Sequence, residues 1–318
     1  MYYMGIDGGG TKTRYMIANH DLTILVDFES ETIHIQQIGA NELSHRLKSN
    51  IKLACEKINI FPEDLNFVFI GVPGYGESQA DKEAIDKVIK EVMQKIPYQV
   101  DNDGILGWAA GCGCHPGINI VAGTGSIANG RNKDGLSLRC GGWGPTIGDD
   151  GSAYWIGIQV INEYTKQKDG RHEKTCLVEI IEEAYDIKYL YEIVDIVFNQ
   201  FKLSRPELAK FAILGAKAAK QGCLMCQKIF NEAAHELALH IKTLAKQLNL
   251  TDSFIVSYSG GVFKSNDLIL APLANELENL NCIIQAPVLE PCMGAVLLAY
   301  QLAGHSISDS LIQQLKTV

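Results

Sequence analysis

A chain of 318 residues, of which 47% are hydrophobic and 20% charged, is long enough to form two globular domains. Its net charge of −9, with no basic stripe to offset the acids, argues against a nucleic-acid surface, and no apolar run is long enough to span a membrane. The nine scattered cysteines and the lack of a secretory signal pattern predict a cytoplasmic protein with reduced thiols.

The first third of the chain has the pattern of one α/β domain. Short extended runs alternate with segments whose apolar residues recur at helical spacing. We expect the strands at 2–6, 13–19, 24–29, 65–74 and 98–103, and the helices at 41–59 and 81–96. A run of two or three strands followed by alternating helices and strands is typical of one α/β domain.

A second copy of this arrangement begins near His115. The segment INIVAGTGSIANGRN, at 118–132, again places an apolar strand before a glycine turn and another short strand. We expect helices at 152–166, 174–200, 205–247, 266–280 and 292–304, and strands at the start of 252–265 and at 281–287. Because both halves begin with a strand, a glycine turn and another strand, we expect a duplicated, two-lobed protein with a central cleft. Its lobes are predicted to be residues 1–115 and 116–318. As an alternative to this division, the last helix, 292–304, could pack back on the first lobe.

Two glycine hairpins are candidates for phosphate binding, at Asp7–Thr13 and at Gly123–Ser126. Glycines lack a Cβ, so successive N–H groups can converge on an anion. The first hairpin lacks the Walker A glycine before Lys12, and the second resembles G-x-G-x-x-A but is not followed by a helix. As a pair, the hairpins predict a site that holds an ATP tail from both sides, although a tight turn without a ligand is an alternative for the first. A third glycine turn, Gly260-Gly261, would let a base or ribose approach the backbone.

Five segments carry a family resemblance: GIDGGGTKT, VDNDGILGWAAG, VAGTGSIANG, CGGWGPTIGDDGSAYWIG and SGGVFKSN. Together they resemble the N-acetylglucosamine kinases of the BadF/BadG/BcrA/BcrD ATPase family, within the sugar kinase, Hsp70 and actin superfamily. The resemblance extends over nearly the whole chain. It implies a two-lobed, ribonuclease H-like (actin-like ATPase) α/β fold, ATP and Mg²⁺ as cofactors, and an amino sugar as substrate. The apolar helices of the second half are compatible with a homodimer.

The resemblance also implies roles for individual residues. It assigns ATP and phosphate binding to Asp7, Gly9, Gly10, Thr11, Thr13, Gly123, Thr124, Gly125, Gly260, Gly261 and Ser265. It assigns sugar binding to Asp103, Gly142, Trp143, Gly144 and Asp149. Asp7 is expected to hold Mg²⁺ through water, and Asp103 matches the catalytic base.

The chemistry of phosphoryl transfer independently favours an acid near the acceptor. Transfer to a sugar hydroxyl needs positioning, charge neutralisation and a carboxylate that accepts the hydroxyl proton. Asp103 ends the strand 98–103 and is predicted to be this general base for a 6-hydroxyl. Asp101 is an alternative, two residues earlier and on the same face of a strand. Asp103 is preferred because the family's Asn-Asp pair falls on Asn102-Asp103, and a solvated strand end is the alternative for either acid.

Two of the sugar-site residues have alternative interpretations. Trp143 could be a core aromatic residue, but its flanking glycines favour a turn that faces a sugar. Asp149 and Asp150 could simply cap the helix that starts near Ser152, because acids are favoured at helix N-termini.

His34 stands where the animal enzymes of the family have a sugar-contacting asparagine. A histidine can hydrogen-bond a hydroxyl or an acetamide, and when protonated it favours an acidic substituent. We therefore hypothesise that N-acetylmuramic acid, which carries a carboxylate, is accepted alongside N-acetylglucosamine. A purely structural His34 is the alternative.

Three other functions are alternatives to an amino-sugar 6-kinase. An iron–sulfur ATPase activator of a radical dehydratase would need well-separated cluster cysteines, whereas Cys112 and Cys114 share one turn. Free thiols are expected instead, and Cys140 has no zinc-ligand spacing. A glucosamine kinase remains an alternative. A non-catalytic sugar sensor is disfavoured because Asp103 is present and no helix-turn-helix pattern precedes the first strand.

Overall fold

The computed structural model describes residues 1–316. The chain forms two compact units, Met1–Gly117 together with the chain from Ala286 onward, and Ile118–Gln285. Each unit has its own hydrophobic core and its own five-stranded sheet, so the predicted α/β class with two duplicated units is confirmed. No helix in residues 1–316 combines the length and the apolar composition that a bilayer crossing requires.

The strands are β1 (Tyr2–Gly8), β2 (Lys12–Asn19), β3 (Ile24–Glu31), β4 (Leu65–Val72), β5 (Tyr98–Asn102), β6 (Gly117–Ala122), β7 (Ser126–Arg131), β8 (Ser137–Gly141), β9 (Phe254–Ser259) and β10 (Cys282–Gln285). The helices are α1 (Ile35–Glu56), α2 (Gln79–Met93), α3 (Gly104–Cys112), α4 (Ala153–Lys168), α5 (Cys176–Tyr185), α6 (Glu192–Asp195), α7 (Arg205–Ala209), α8 (Phe211–Lys220), α9 (Leu224–Gln247), α10 (Asp267–Glu276), α11 (Pro291–Leu302) and α12 (Asp309–Lys316). Short 3₁₀ turns occupy Pro62–Asp64 and Gly261–Ser265, and a π turn occupies Ile196–Gln200.

The two sheets have the same strand order. In the first unit the order is β3-β2-β1-β4-β5, with β1 antiparallel to β2 and parallel to β4, and β4 parallel to β5. In the second unit the order is β8-β7-β6-β9-β10, so β6 takes the place of β1 and β9 the place of β4. The glycine loops at the ends of β1 and β6 therefore occupy equivalent positions in the two units.

The C-terminal segment returns to the first unit because two glycines allow α11 to pack very closely. A β-carbon on Gly5 of β1 would lie 2.7 Å from the backbone nitrogen of Val296 in α11. A β-carbon on Gly294 would lie 2.6 Å from the carbonyl oxygen of Leu106 in α3. The sequence-based boundaries of 1–115 and 116–318 differ from the observed division, because residues 286–316 belong with the first unit.

Several helices differ from the sequence-based expectation in where they begin, end or break. The long predicted helices 174–200 and 205–247 are each broken, the first after Asp186, which has φ +52°, and the second at Gly222, which has φ +95°. The segment before 41–59 is also helical, but Gly39, with φ +77°, interrupts it. The helix α3 was not predicted, because it is buried over most of its surface and shows no amphipathic period.

Candidate active site

The first glycine loop is the hairpin that joins β1 to β2. The Gly9 N–H donates a hydrogen bond to the Lys12 carbonyl at 2.8 Å, which closes the turn. The Thr32 hydroxyl donates to the Gly9 carbonyl at 2.7 Å, and the Gln37 amide donates to the Gly10 carbonyl at 2.9 Å. The segment that enters α1 therefore holds the loop in one conformation, which is what a preformed anion site requires.

The two threonines assigned to this loop differ in exposure. Thr11 lies exposed at the tip of the hairpin, where its hydroxyl is accessible to a ligand. Thr13 is fully buried in β2, and its hydroxyl has no hydrogen-bond partner among the described residues. Lys12 is paired with Glu29 of β3.

Asp7 lies at the carboxyl end of β1, beside the carboxyl ends of β4 and β5. In the parallel part of the sheet, Asp7 pairs with Gly71, and Gly71 pairs with Asp101. A β-carbon on Gly71 would lie 2.5 Å from the Leu106 side chain and 3.3 Å from the Asp103 Cα. Because Gly71 has no side chain, the start of α3 can approach the strand ends, and Asp103 lies in the same region as Asp7.

Asp7 and Asp103 share a desolvated environment. Burial raises the pKa of Asp103 from 3.8 to about 6; the charge of Glu77 adds to this, while backbone hydrogen bonds oppose it. Burial also raises the pKa of Asp7 to about 6, with the charge of Asp103 adding and those of Arg14 and Lys12 opposing. Two acids with raised pKa values at the carboxyl ends of β1 and β5, the parallel strands on either side of β4, are a strong indication of a functional site.

Asp103 is not part of the strand, so the expectation that it shares a strand face with Asp101 is wrong. β5 ends at Asn102, and Asp103 has helical backbone angles, φ −58° and ψ −27°, at the start of α3. Asp101 accepts a hydrogen bond from the Asn102 N–H at 2.7 Å. The Asn102 side chain accepts from the Gly104 N–H at 3.0 Å and donates to the Tyr75 carbonyl at 3.2 Å. Asn102 thereby connects the start of α3 to the loop after β4.

His34 lies just before α1, next to the loop after β4. Its N–H donates to the Thr32 hydroxyl at 3.0 Å, the same hydroxyl that holds the first glycine loop. A β-carbon on Gly74 would lie 3.9 Å from both the His34 imidazole and the Glu77 carboxylate. The His34 Nδ1 is buried and has no hydrogen-bond partner among the described residues. The first unit therefore collects the glycine loop, both acids and the histidine at one edge of its sheet.

The second glycine loop joins β6 to β7 in the second unit. The Gly123 N–H donates to the Gly125 carbonyl at 2.9 Å, which makes the turn tight. The Ala153 N–H donates to the Gly123 carbonyl at 2.8 Å, and the Ser126 hydroxyl donates to the Asp150 carbonyl at 2.7 Å. The loop, which includes Thr124, is therefore fixed by the segment that leads into α4.

The third glycine turn packs directly on the second loop. Gly260 has φ +105°, and a β-carbon there would lie 2.4 Å from the Ala122 carbonyl oxygen and 2.9 Å from the Gly123 nitrogen. A cavity of about 670 Å³ opens beside this turn. It is lined by Gly261, Ser265 and residues of α4, α7 and α8. Its volume and largely apolar lining suit a nucleoside-sized ligand.

Asp149, whose sugar contact stays a prediction, has two protein partners. It is only 4% exposed and has φ +59°. One carboxylate oxygen accepts from the Gly144 N–H at 3.2 Å, and the other accepts from Arg205 Nη2 at 2.6 Å. The helix cap is supplied by Ser152, whose hydroxyl accepts from the Trp155 N–H at 3.1 Å, so neither Asp149 nor Asp150 has this role. Sequence reasoning missed Arg205, because no motif connects it to an acid 56 residues away.

Trp143 lies on an exposed turn and not in the core. Its side chain is 65% exposed, and Gly142 and Gly144 on either side have φ +73° and +88°. The Arg139 guanidinium lies 5.9 Å from the ring centre. This agrees with the predicted turn, whereas a sugar contact stays a prediction.

Metal-binding side chains do not cluster in the described part of the chain. Residues 1–316 contain no group of three histidine, cysteine, aspartate or glutamate side chains arranged to hold a metal ion. Cys112 is buried and Cys114 half-buried, and none of the nine cysteines forms a disulfide.

The model of the BadF/BadG/BcrA/BcrD ATPase family matches residues 4–299, and the chain therefore belongs to this family. An N-acetylmuramic acid/N-acetylglucosamine kinase from Clostridium acetobutylicum is 31% identical over 88% of this chain and 91% of its own length. An N-acetyl-D-glucosamine kinase from Dictyostelium discoideum is 29% identical over 93% of this chain and 97% of its own length.

Among solved structures, a hexokinase of the ROK family from Thermus thermophilus has a TM-score of 0.59 at 13% identity, covering 95% of this chain and 99% of its own. A protein from Chromobacterium violaceum, provisionally named an N-acetylglucosamine kinase, has a TM-score of 0.66 at 23% identity, covering 94% of this chain and 98% of its own. At these identities the two structures establish the fold alone. The predicted sugar kinase and actin-like ATPase fold is confirmed.

Proposed function

We propose that this protein is an ATP-dependent kinase that phosphorylates the 6-hydroxyl of an N-acetylated amino sugar. The observation that carries the proposal is the pair of desolvated acids, Asp7 and Asp103, at the strand ends beside a glycine loop. The names of the two relatives, both amino-sugar kinases with similarity over most of the chain, support the same reaction and substrate class.

In this proposal Asp103 is the general base. A carboxylate with a pKa near 6 is mostly ionised at neutral pH and accepts a proton more readily than an ordinary aspartate does. Glu77 contributes by keeping that pKa raised. The sugar hydroxyl would transfer its proton to Asp103 as its oxygen attacks the terminal phosphate of ATP.

Asp7 suits the role of holding Mg²⁺ through water. Among residues 1–316, no side chain donates a hydrogen bond to its carboxylate, and burial makes its negative charge costly unless a cation is near. When bound, Mg²⁺ supplies charge neutralisation on the transferring phosphate. Asp7 itself would orient the hydrated ion next to the first loop, where Gly9, Gly10 and Thr11 contact phosphate oxygens.

We assign the nucleotide contacts of the second unit to its loop and cavity. Gly123, Thr124 and Gly125 would bind phosphate, and Gly260, Gly261 and Ser265 would border the adenosine. The cavity of about 670 Å³ next to Gly261 and Ser265 supports this assignment.

For the sugar we propose His34 and the exposed turn at Gly142–Gly144 as contacts. The unpartnered His34 Nδ1 supports a polar ligand beside it. N-acetylglucosamine is the proposed substrate, and N-acetylmuramic acid a second one, which would suit an enzyme of cell-wall recycling. We also propose a cytoplasmic homodimer; the exposed apolar side chains of Tyr191, Val194 and Phe198 support a protein interface.

A screen of amino sugars for sugar-dependent ADP release tests the proposal. The panel contains N-acetylglucosamine, N-acetylmuramic acid, glucosamine and glucose, and NMR locates the phosphate in the product. We expect turnover with the N-acetylated sugars, phosphorylation on O6, and loss of activity when EDTA removes Mg²⁺. Turnover with glucosamine alone, or ADP release that no sugar stimulates, would contradict the proposal.

A further inference from the structure

Arg205 is held in place by a buried acid. It lies at the start of α7, in the second unit, and its Nη2 donates to the Asp149 carboxylate at 2.6 Å. The Asp149 side chain is 5% exposed, whereas that of Arg205 is 42% exposed. The buried carboxylate fixes one edge of the guanidinium, while another part of the side chain is exposed to solvent.

The ion pair lies against the second glycine loop. A β-carbon on Gly125 would lie 2.7 Å from the Asp149 carboxylate oxygen and 3.1 Å from Arg205 Nη2. The absence of a side chain at Gly125 is therefore what lets the guanidinium approach the loop backbone. A fixed positive charge next to a tight glycine turn is a suitable environment for an anion.

The guanidinium has more donors than the protein uses. Arginine carries five N–H groups in a planar fork that matches phosphate geometry. The bond to Asp149 uses one of them, and the buried Nε has no hydrogen-bond partner among the described residues. Leaving a buried charged donor unsatisfied is costly, and an anion within reach of that N–H would remove the cost.

We propose that Arg205 binds the nucleotide beyond its α-phosphate, at a phosphate that ADP has and AMP lacks. Asp149 positions Arg205 for this contact. The inference rests on the proposed function, since it takes the nucleotide of that reaction as the ligand. It adds a cation to a loop that otherwise offers only backbone and hydroxyl groups. Asp149 thereby acts as a positioning residue for the nucleotide.

Calorimetric binding of ADP and AMP to the full-length protein tests the inference. Arg205→Gln should weaken ADP binding roughly 10- to 100-fold, the usual effect of losing a charge-assisted phosphate contact, and should leave AMP binding within about twofold. Asp149→Asn should weaken ADP in the same direction but less. Arg171→Gln, which removes an exposed positive charge paired with Asp169 in the same unit, is the matched control and should bind both nucleotides normally.

Equal weakening of ADP and AMP would mean that Arg205 only supports the structure, and unchanged ADP binding would also overturn the inference. If Arg205→Gln does not fold, Arg205→Lys keeps the charge but loses the fork, and the same ADP-to-AMP comparison applies with a smaller expected loss. Sugar-dependent ADP release by the unsubstituted protein is measured separately. A chain that phosphorylates amino sugars but whose Arg205 variants bind ADP normally would refute this inference alone.

Discussion

Replacing Asp103 by asparagine should abolish most of the activity while stabilising the protein. The substitution keeps the size of the side chain but removes the group that accepts the hydroxyl proton. General-base catalysis contributes about 10²- to 10⁴-fold, so we expect kcat to fall by at least about 100-fold. Sugar binding should change little, because the amide can still hydrogen-bond a hydroxyl.

The stabilisation follows from the raised pKa. The folded protein binds a proton at Asp103 more tightly than the unfolded chain does, so the ionised carboxylate destabilises the fold above about pH 6. A rise from 3.8 to about 6 corresponds to at most about 3 kcal/mol at pH 7, and solvent screening reduces this cost to about 1–2 kcal/mol. This cost disappears as the pH falls from about 6 to below 4, and asparagine removes it at every pH.

Steady-state kinetics and thermal unfolding at pH 5 and pH 7.5 measure both effects. Asp103→Asn should raise Tm by a few degrees at pH 7.5 and by less at pH 5. Asp101→Asn is the control, because that carboxylate bonds its neighbour's backbone, and its kcat should stay within about threefold of the unsubstituted enzyme. Near-normal turnover in Asp103→Asn, or an equal loss in Asp101→Asn, would refute the assignment of the base.

Three further predictions use other parts of the site. The charge of Glu77 raises the pKa of Asp103, so Glu77→Gln should move the acidic limb of the pH profile of kcat/KM from about pH 6 to lower pH. If the limb does not move, it reports the titration of another group. His34→Asn should shift the kcat/KM ratio towards N-acetylglucosamine and away from N-acetylmuramic acid, and an unchanged ratio would remove His34 from the choice of sugar. Gly260→Ala should lower the free energy of unfolding by more than about 2 kcal/mol, because φ is positive there and a β-carbon would clash with the backbone of the second loop. Gly261→Ala, which has open space around its β-carbon, should change it by less than about 1 kcal/mol. Equal unfolding midpoints of the two variants in denaturant would contradict this.

Local patterns in the sequence predicted the α/β class and the repeated opening of the two halves. A strand, a glycine turn and another strand occur at the start of each half, and the structure has the same strand order in both sheets. These features depend on residues close together in the chain, where hydrophobic alternation and the conformational freedom of glycine determine the backbone. Asp103 could be singled out because it follows a predicted strand and because the family's Asn-Asp pair falls on Asn102-Asp103.

Contacts between distant segments had to come from the tertiary structure. Nothing near Gly5 or Gly294 in sequence shows that Gly5 lets α11 lie on β1, or that Gly294 lets α11 lie on α3. These contacts return the C-terminal segment to the first unit. The environment that raises the pKa of Asp103 depends on the backbone turning into a helix over Gly71. The partner of Asp149 is an arginine far along the chain. Burial and ion pairing depend on which surfaces meet after folding, and residue spacing carries no information about that.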